Sequence, residues 1–379
     1  MKRIISLAAL LLLLAGCDAL LLGGEEPPAG WEQEMEPPAR LDDGLDVSSL
    51  AAQGVDPQEI ERLVRIFHTN TGMNQRSFLL LRNGKLVLES YYNGWNGARK
   101  QDLRSASKSF TSALVGIAID RGFIAGVDEP VLGYFGRYDA FANWDDRKAE
   151  MTVRDFLRMR TGLACNDWSA VSPGHEEYMY ARHDWVKFVL DLPVAGAPGS
   201  AFSYCTGAPV TLGAVISNAS GMEASGFARE FLFEPLGITD YTLEFKPDGE
   251  ADTGGHFHMR PRDMAKFGQL FLNEGVWKGK QIVSREWVAE STAPGGSIPG
   301  ASGLEYGYLW WTTSWSVGGR QVAAYFANGN GGQLIFVVPS LQLVAVFTGG
   351  RYNRNVLPGM LTHVEAIVRA CRSPVTAPP

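Results

Sequence analysis

Apolar residues fall into short continuous runs near both ends of the chain and recur at helical spacing between them. Phe78-Leu79-Leu80-Leu81, the Asn83-Gly84 pair and Leu86-Val87-Leu88 predict a β-hairpin, with Tyr91 and Tyr92 extending its second strand. From Gly307 onward, apolar runs at 308–311, 322–326, 334–338 and 343–347 predict further strands. Helical spacing marks 57–67, with Asp56 as N-cap and Pro57 in the favoured first position. It recurs at 105–120 with Gly122 as the stop, and at 152–160, ended by Thr161-Gly162. Further helices are predicted over 185–191, 208–218, 222–233, 261–272, 284–291 and 356–371. The aromatic-rich stretch 166–198 otherwise reads as a long loop folded over something. Strands at both ends with helices between them predict an α+β fold: an antiparallel sheet built from both termini, flanking helices, and an inserted, mostly helical lobe over about 105–290.

The amino terminus follows a different pattern. Met1-Lys2-Arg3 is a short positive region, and an apolar run of signal-peptide length follows it to Leu14. Leu14-Ala15-Gly16-Cys17 resembles a bacterial lipobox, which implies cleavage before Cys17 and lipidation of that cysteine. A transmembrane anchor is the alternative, but Asp18 interrupts the run before Leu20-Leu21-Leu22 and leaves it short for a span. The expected organisation is a signal peptide over 1–16, a flexible Pro/Gly/acidic tether over 17–48, a folded domain over 49–371 and a tail over 372–379. The expected location is the bacterial cell envelope, lipid-anchored and facing the periplasm, with the membrane touched only through the lipid.

At 379 residues and 45% hydrophobic composition, the chain can bury a sizeable core. Its formal net charge of −7 carries no basic footprint, and nucleic acid is excluded as a partner.

The candidate chemistry begins at Ser105-x-x-Lys108, which opens the 105–120 helix. An i,i+3 spacing stacks amine over hydroxyl on one helix face. A serine hydroxyl becomes a strong nucleophile when a neighbouring base takes its proton, and an uncharged lysine amine can serve as that base. A chain of this length carries about one S-x-x-K by chance, so the motif needs company. Phe202-Ser203-Tyr204-Cys205-Thr206 leads into a helix, and Asn328-Gly329-Asn330-Gly331-Gly332-Gln333 lies between two strands. By themselves these read as a packing tyrosine and a hairpin turn.

Taken in order, the three elements resemble the serine β-lactamase and penicillin-binding-protein superfamily. Within it the chain looks most like the class C-like serine hydrolases, which include esterases and 6-aminohexanoate-dimer hydrolases. The matching segments are 105–116, Met159-Arg160-Thr161-Gly162-Leu163, Tyr306 to Trp311 and 329–333, and the likeness covers about 46–371. It implies a β-lactamase/transpeptidase-like fold and a cofactor-free acyl-enzyme mechanism, with Ser105 as nucleophile and Lys108 and Tyr204 handling the proton. The oxyanion would rest on the backbone N–H groups of Ser105 and Asn330, and Thr206, Gly329 and Gly331 would line the substrate.

Two departures bear on the substrate. The family's third motif usually carries a lysine or histidine that helps hold a substrate carboxylate, and Gly329-Asn330-Gly331 has neither. Its second motif often ends in asparagine, where this chain has Thr206. Both favour a neutral ester or amide of a small molecule or short peptide over a β-lactam.

Cys165 and Cys205 flank the aromatic loop, and the resemblance together with an oxidising compartment implies a disulfide; two buried free thiols are the alternative. Cys371 has no evident partner. His256-Phe257-His258 has a metal-like spacing, but no acidic cluster of recognisable spacing accompanies it in the sequence, so no metal site is expected. The absence of a Gly-x-Ser-x-Gly elbow argues against an α/β-hydrolase. The rival from another class is a catalytically silent envelope lipoprotein that binds peptidoglycan fragments or a protein partner.

Overall fold

The computed structural model describes residues 26–371. The signal peptide, Cys17 and the 372–379 tail lie outside the described residues, as do the first residues of the tether. No helix among the described residues is long and apolar enough to cross a membrane.

The strands, in chain order, are β1 (Asp46–Val47), β2 (Gln75–Arg82), β3 (Lys85–Tyr91), β4 (Gln101–Asp102), β5 (Thr242–Leu243), β6 (Phe257–Met259), β7 (Val276–Trp277), β8 (Lys280–Gln281), β9 (Leu304–Tyr306), β10 (Trp311–Val317), β11 (Arg320–Gly329), β12 (Gln333–Val338) and β13 (Leu343–Gly349). The helices are α1 (Pro57–Thr69), α2 (Ser107–Asp120), α3 (Val153–Leu157), α4 (Glu176–Tyr180), α5 (Trp185–Leu190), α6 (Gly207–Ser220), α7 (Ala224–Ala228), α8 (Pro261–Leu272), α9 (Arg285–Ser291) and α10 (Leu357–Ala370).

Eight strands form the main sheet in the order β1-β3-β2-β13-β12-β11-β10-β9, antiparallel except where β1 runs parallel to β3. The fold is therefore mixed, with a mostly antiparallel sheet and flanking helices. The first hairpin meets the last strand at the middle of the sheet, where Phe78 pairs with Phe347 and their rings stack 4.8 Å apart. Both faces of β2, β12 and β13 are buried, which explains their continuous apolar runs. Helices α1 and α10 pack against each other, and Phe67 of α1 sets its ring edge-on to Phe78 and Phe347. Helix α8 packs on β12, β13 and β2. Between β3 and β9 lies the helical lobe, in which α6 packs against α2, α3 and α5.

Three local expectations are corrected. Residues 26–48 are not a free tether from end to end. Trp31 is buried beneath the Arg65 guanidinium, and Leu45 is also buried. Asp43 is paired with Arg262 at 3.0 Å, and Glu34 with His68 at 3.1 Å. The acidic residues that suggested a solvated segment have side-chain partners waiting on the domain.

Residues 308–310 are not strand. The backbone N–H groups of Tyr308 and Leu309 donate to Ser291 O and Leu157 O, and Leu309 has φ +59°. The run is apolar because Trp310 stacks on Phe267 beneath the sheet, not because it belongs to a ladder. The 152–160 helix shrinks to α3: Thr152 and Asp155 cap it reciprocally, but Met159 takes φ +55° and turns the chain away.

Candidate active site

Helix α2 is buried on every side from Ser107 to Ala118, as its small and apolar residues allow. Ser105 sits just ahead of it in a 3-10 turn over Arg104–Ala106, so the regular helix starts two residues later than the spacing predicts. Arg104 has φ +49°, a conformation disfavoured for a residue with a side chain. Asp102 holds it there: one carboxylate oxygen accepts from the Arg104 N–H at 2.8 Å, and the other pairs with Arg104 Nε at 2.8 Å.

One turn along, the buried Lys108 Nζ lies 2.9 Å from Ser105 Oγ and donates to the carbonyl of Gly254 at 2.6 Å. Two other buried polar side chains of α2 hold the backbone on either side of that carbonyl. Thr111 Oγ1 donates to Thr253 O at 2.6 Å, and Ser107 Oγ accepts from the Phe257 N–H at 3.1 Å. Lys108, Thr111 and Ser107 thus bond to the 253–257 backbone, while Ser109 Oγ donates to Leu309 O at 2.8 Å.

Tyr204 arrives from the start of α6. Its side chain lines the same cavity as Ser105, and Lys108 Nζ lies 5.3 Å from the centre of its ring. Burial pushes the phenol above its ordinary pKa, while Lys108 and Ser105 pull the other way. The Trp168 ring stacks on Tyr204 at 5.3 Å, nearly parallel to it. The segment carrying Tyr204 is joined to the aromatic loop several times over. Cys165 and Cys205 form a disulfide, Ser203 Oγ donates to Cys165 O at 2.5 Å, and the Asp167 N–H donates to Tyr204 O at 2.8 Å.

Asp167 is the hub of this junction. Its carboxylate accepts from the backbone N–H groups of Glu176 at 2.9 Å and Thr206 at 2.5 Å. Burial and then the neighbouring Glu176 raise its pKa, opposed by Lys108 and the Thr206 N–H. Glu176 in turn accepts from the Thr206 hydroxyl at 2.8 Å and the Tyr180 hydroxyl at 3.2 Å.

At the end of β11, Gly329 lies against the nucleophile turn, and Gly331 (φ +93°) abuts the Tyr352 ring. The Asn330 side chain points to Asn353, accepting from its N–H at 2.7 Å and donating to its side-chain oxygen at 2.8 Å.

Ser105 faces two cavities. The larger, about 810 Å³, is lined among others by Trp168, Tyr204, Trp311, Asn330, Arg354 and Leu361. The smaller, about 270 Å³, is bounded by Arg104, Glu176, Tyr180, His256 and Tyr352. The structure brings Ser105, Lys108, Tyr204 and Asn330 together around them. Thr206, Gly329 and Gly331, expected to line the substrate, line neither: Thr206 is buried with its hydroxyl turned to Glu176, and the glycines press on backbone and ring.

Sequence reasoning misses Asp167, Glu176 and Gly254. Only the aromatic density of 166–198 hints at the first two, and nothing in the sequence points to the third. A second correction concerns His256. Asp102 stands 3.1 Å and Glu244 3.9 Å from its Nδ1, so acidic residues do accompany the histidine pair in space.

A family model described as Beta-lactamase matches residues 60–358. A 6-aminohexanoate-dimer hydrolase from Paenarthrobacter ureafaciens is 27% identical over 234 residues, an alignment spanning 58% of this chain and 57% of that protein. Two solved structures share the fold. A penicillin-binding-protein homologue from Caulobacter crescentus superposes with a TM-score of 0.65 at 16% identity, covering 86% of this chain and 99% of that one. A family VIII carboxylesterase superposes with a TM-score of 0.62 at 17% identity, covering 78% and 92%.

Proposed function

Because the chain belongs to the beta-lactamase family of hydrolases, we propose that it is a serine hydrolase acting through a covalent acyl-enzyme on an ester or amide of a small molecule or short peptide. The observation that carries this reading is the approach of Lys108 Nζ to within 2.9 Å of Ser105 Oγ in a buried site shared with Tyr204. A binding module has no use for an amine held at hydrogen-bond distance from an otherwise inert hydroxyl.

Ser105 Oγ attacks the substrate carbonyl carbon as its proton passes to Lys108 in its amine form. The carbonyl electron pair moves to oxygen, and the backbone N–H groups of Ser105 and Asn330 receive that oxyanion. The pair then returns, the bond to the leaving group breaks, and the leaving group takes a proton relayed through Lys108 and Tyr204. Water attacks the acyl-serine by the same route, restoring Ser105 and releasing the acid.

The wall chemistry supports an esterase or amidase over a β-lactamase. Among the described residues, Arg354 is the only basic side chain lining the larger cavity, against the carboxyl groups of Asp167 and Glu176. The Asn330 amide is occupied by Asn353, and the β11 edge offers the cavity only the neutral amides of Asn328 and Asn330 where a substrate carboxylate would call for a cation. An acyl group that is neutral or bears a cation fits this surface.

The test is intact-mass analysis of the full-length protein after exposure to a fluorophosphonate, beside Ser105→Ala and Lys108→Met. One adduct on the wild type, none on Ser105→Ala and slowed labelling of Lys108→Met are expected. Equal labelling of wild type and Ser105→Ala overturns the assignment. No labelling of any form, with no turnover on an ester and amide panel, favours the silent envelope-binding protein instead.

A further inference from the structure

Beside the nucleophile turn, a three-stranded sheet in the order β4-β6-β5 gathers a second group of reactive side chains. Asp102 pairs with His258 across β4 and β6, and Leu243 pairs with Phe257 across β5 and β6. Directly opposed residues of an antiparallel pair point to the same face. His258 shares that face with Asp102, and His256, just ahead of β6, reaches Asp102 as well, its Nδ1 3.1 Å from Oδ2. Glu244, one step beyond Leu243, stands opposite His256, and its N–H reaches the His256 carbonyl at 3.4 Å. Register sets Asp102 opposite His258, and the measured distances bring His256, just before β6 with φ +59°, and Glu244, just after β5, to the same place.

The geometry points to a binding site for a divalent first-row metal ion, with Asp102, His256 and Glu244 as ligands and His258 holding Glu244 from outside. One atom from each of the three ligands lies within 4.8 Å of the other two. His256 Nδ1 is 3.1 Å from Asp102 Oδ2 and 3.9 Å from Glu244 Oε1. Bonds of about 2.0–2.2 Å place two ligands of one ion at most about 4.4 Å apart. The His256 spacings fit this directly, and Glu244, half exposed, needs only a small swing to close the set. His258 Nε2, 3.0 Å from Glu244 Oε1, is an imidazole of the kind that orients a ligating carboxylate. One nitrogen and two oxygens leave open positions for water, a donor set that suits zinc or manganese. The neighbouring Arg104 shares Asp102 with the site, and Asp252 acts electrostatically on His256. With both imidazoles neutral, as metal ligation requires of His256, two carboxylates against one guanidinium leave a net negative site for a cation.

The site adjoins the Ser105 cavity, where His256 forms part of the wall and Asp102 holds Arg104, but the metal reading does not require Ser105 to be reactive. Full-length protein, stripped with chelator, is dialysed against Zn2+ and its bound zinc measured by elemental analysis, with melting temperatures taken alongside. One equivalent should bind and raise the melting temperature. His256→Ala and Glu244→Gln should each weaken binding at least tenfold, and His258→Ala should weaken it less. Substoichiometric zinc on the wild type, or equal binding by folded His256→Ala and wild type, overturns the proposal. Circular dichroism of each variant separates lost ligation from lost fold.

Discussion

A β-carbon placed on Gly329 would lie 2.1 Å from the carbonyl oxygen of Leu103, two residues before the Ser105 nucleophile. The end of β11 is thus pressed against the turn that presents Ser105, and the position is glycine because nothing larger fits between two backbones. Gly329→Ala must push strand and turn apart. A loss of about 1–3 kcal/mol in stability is expected from the overpacking. Turnover should fall by about 100-fold, the usual result of displacing a reacting group by an ångström. Denaturant melts and ester hydrolysis on the same preparation check both. A variant as stable and active as wild type would show that this contact does not position the nucleophile.

The Cys165–Cys205 bridge spans a sequence separation of 40 residues and ends beside Tyr204. Loop-closure entropy for that length predicts about 4 kcal/mol of stabilisation. Cys205→Ser should lower the denaturation midpoint accordingly and reduce kcat more than it raises KM, since the tyrosine segment loses a covalent anchor. Reductant should reproduce the stability loss in the wild type and have no effect on the variant.

His363 of α10 is mostly buried, edge-on to Phe67 at 5.3 Å, and burial pushes its imidazole below the ordinary value of 6.5. The unfolded chain then binds this proton more readily than the folded one. Its contribution is fully present above pH 6.5 and is lost as pH falls from there toward the depressed folded value. His363→Phe should flatten the stability curve across that window and leave neutral-pH stability nearly unchanged. Urea melts from pH 7.5 downward test it, and parallel curves for the two proteins would refute it.

The parts of the site legible in the sequence were those carried by local spacing. Ser105 and Lys108 share a helical turn, so spacing finds them, whereas Tyr204, three residues ahead of α6, reads alone as a packing residue and owes its role to the family resemblance. The acceptor that fixes Lys108 is a backbone carbonyl 146 residues away, and a carbonyl leaves no residue-type signal. Asp167 acts through main-chain N–H groups, and Glu176 through the hydroxyls of Thr206 and Tyr180, in segments that meet only in the folded lobe.

The sheet and its two-ended origin were likewise legible, because β2, β12 and β13 are apolar on both faces. Composition misled at 26–48, where acidic residues read as solvated are paired with Arg262 and His68. It misled again at 308–310, where an apolar run serves a buried crossing with Leu309 at φ +59°. The carboxylates beside His256 were invisible for a third reason: cross-strand register between β4, β5 and β6 is a property of the fold alone.

The pairing of β2 with β13 also has a consequence for synthesis. The hairpin strand that ends at Arg82 bonds to a strand beginning at Leu343, so about 260 residues separate the making of the two. At about 5–20 residues per second a ribosome needs roughly 13–50 s to cover that gap. Throughout it, the β2 edge that Leu79, Leu80 and Leu81 will bury stands without its neighbour. A nascent chain of this protein therefore depends on holding that edge in solution until its final strand emerges, and any message truncated before codon 343 yields a product with an open seam through its middle.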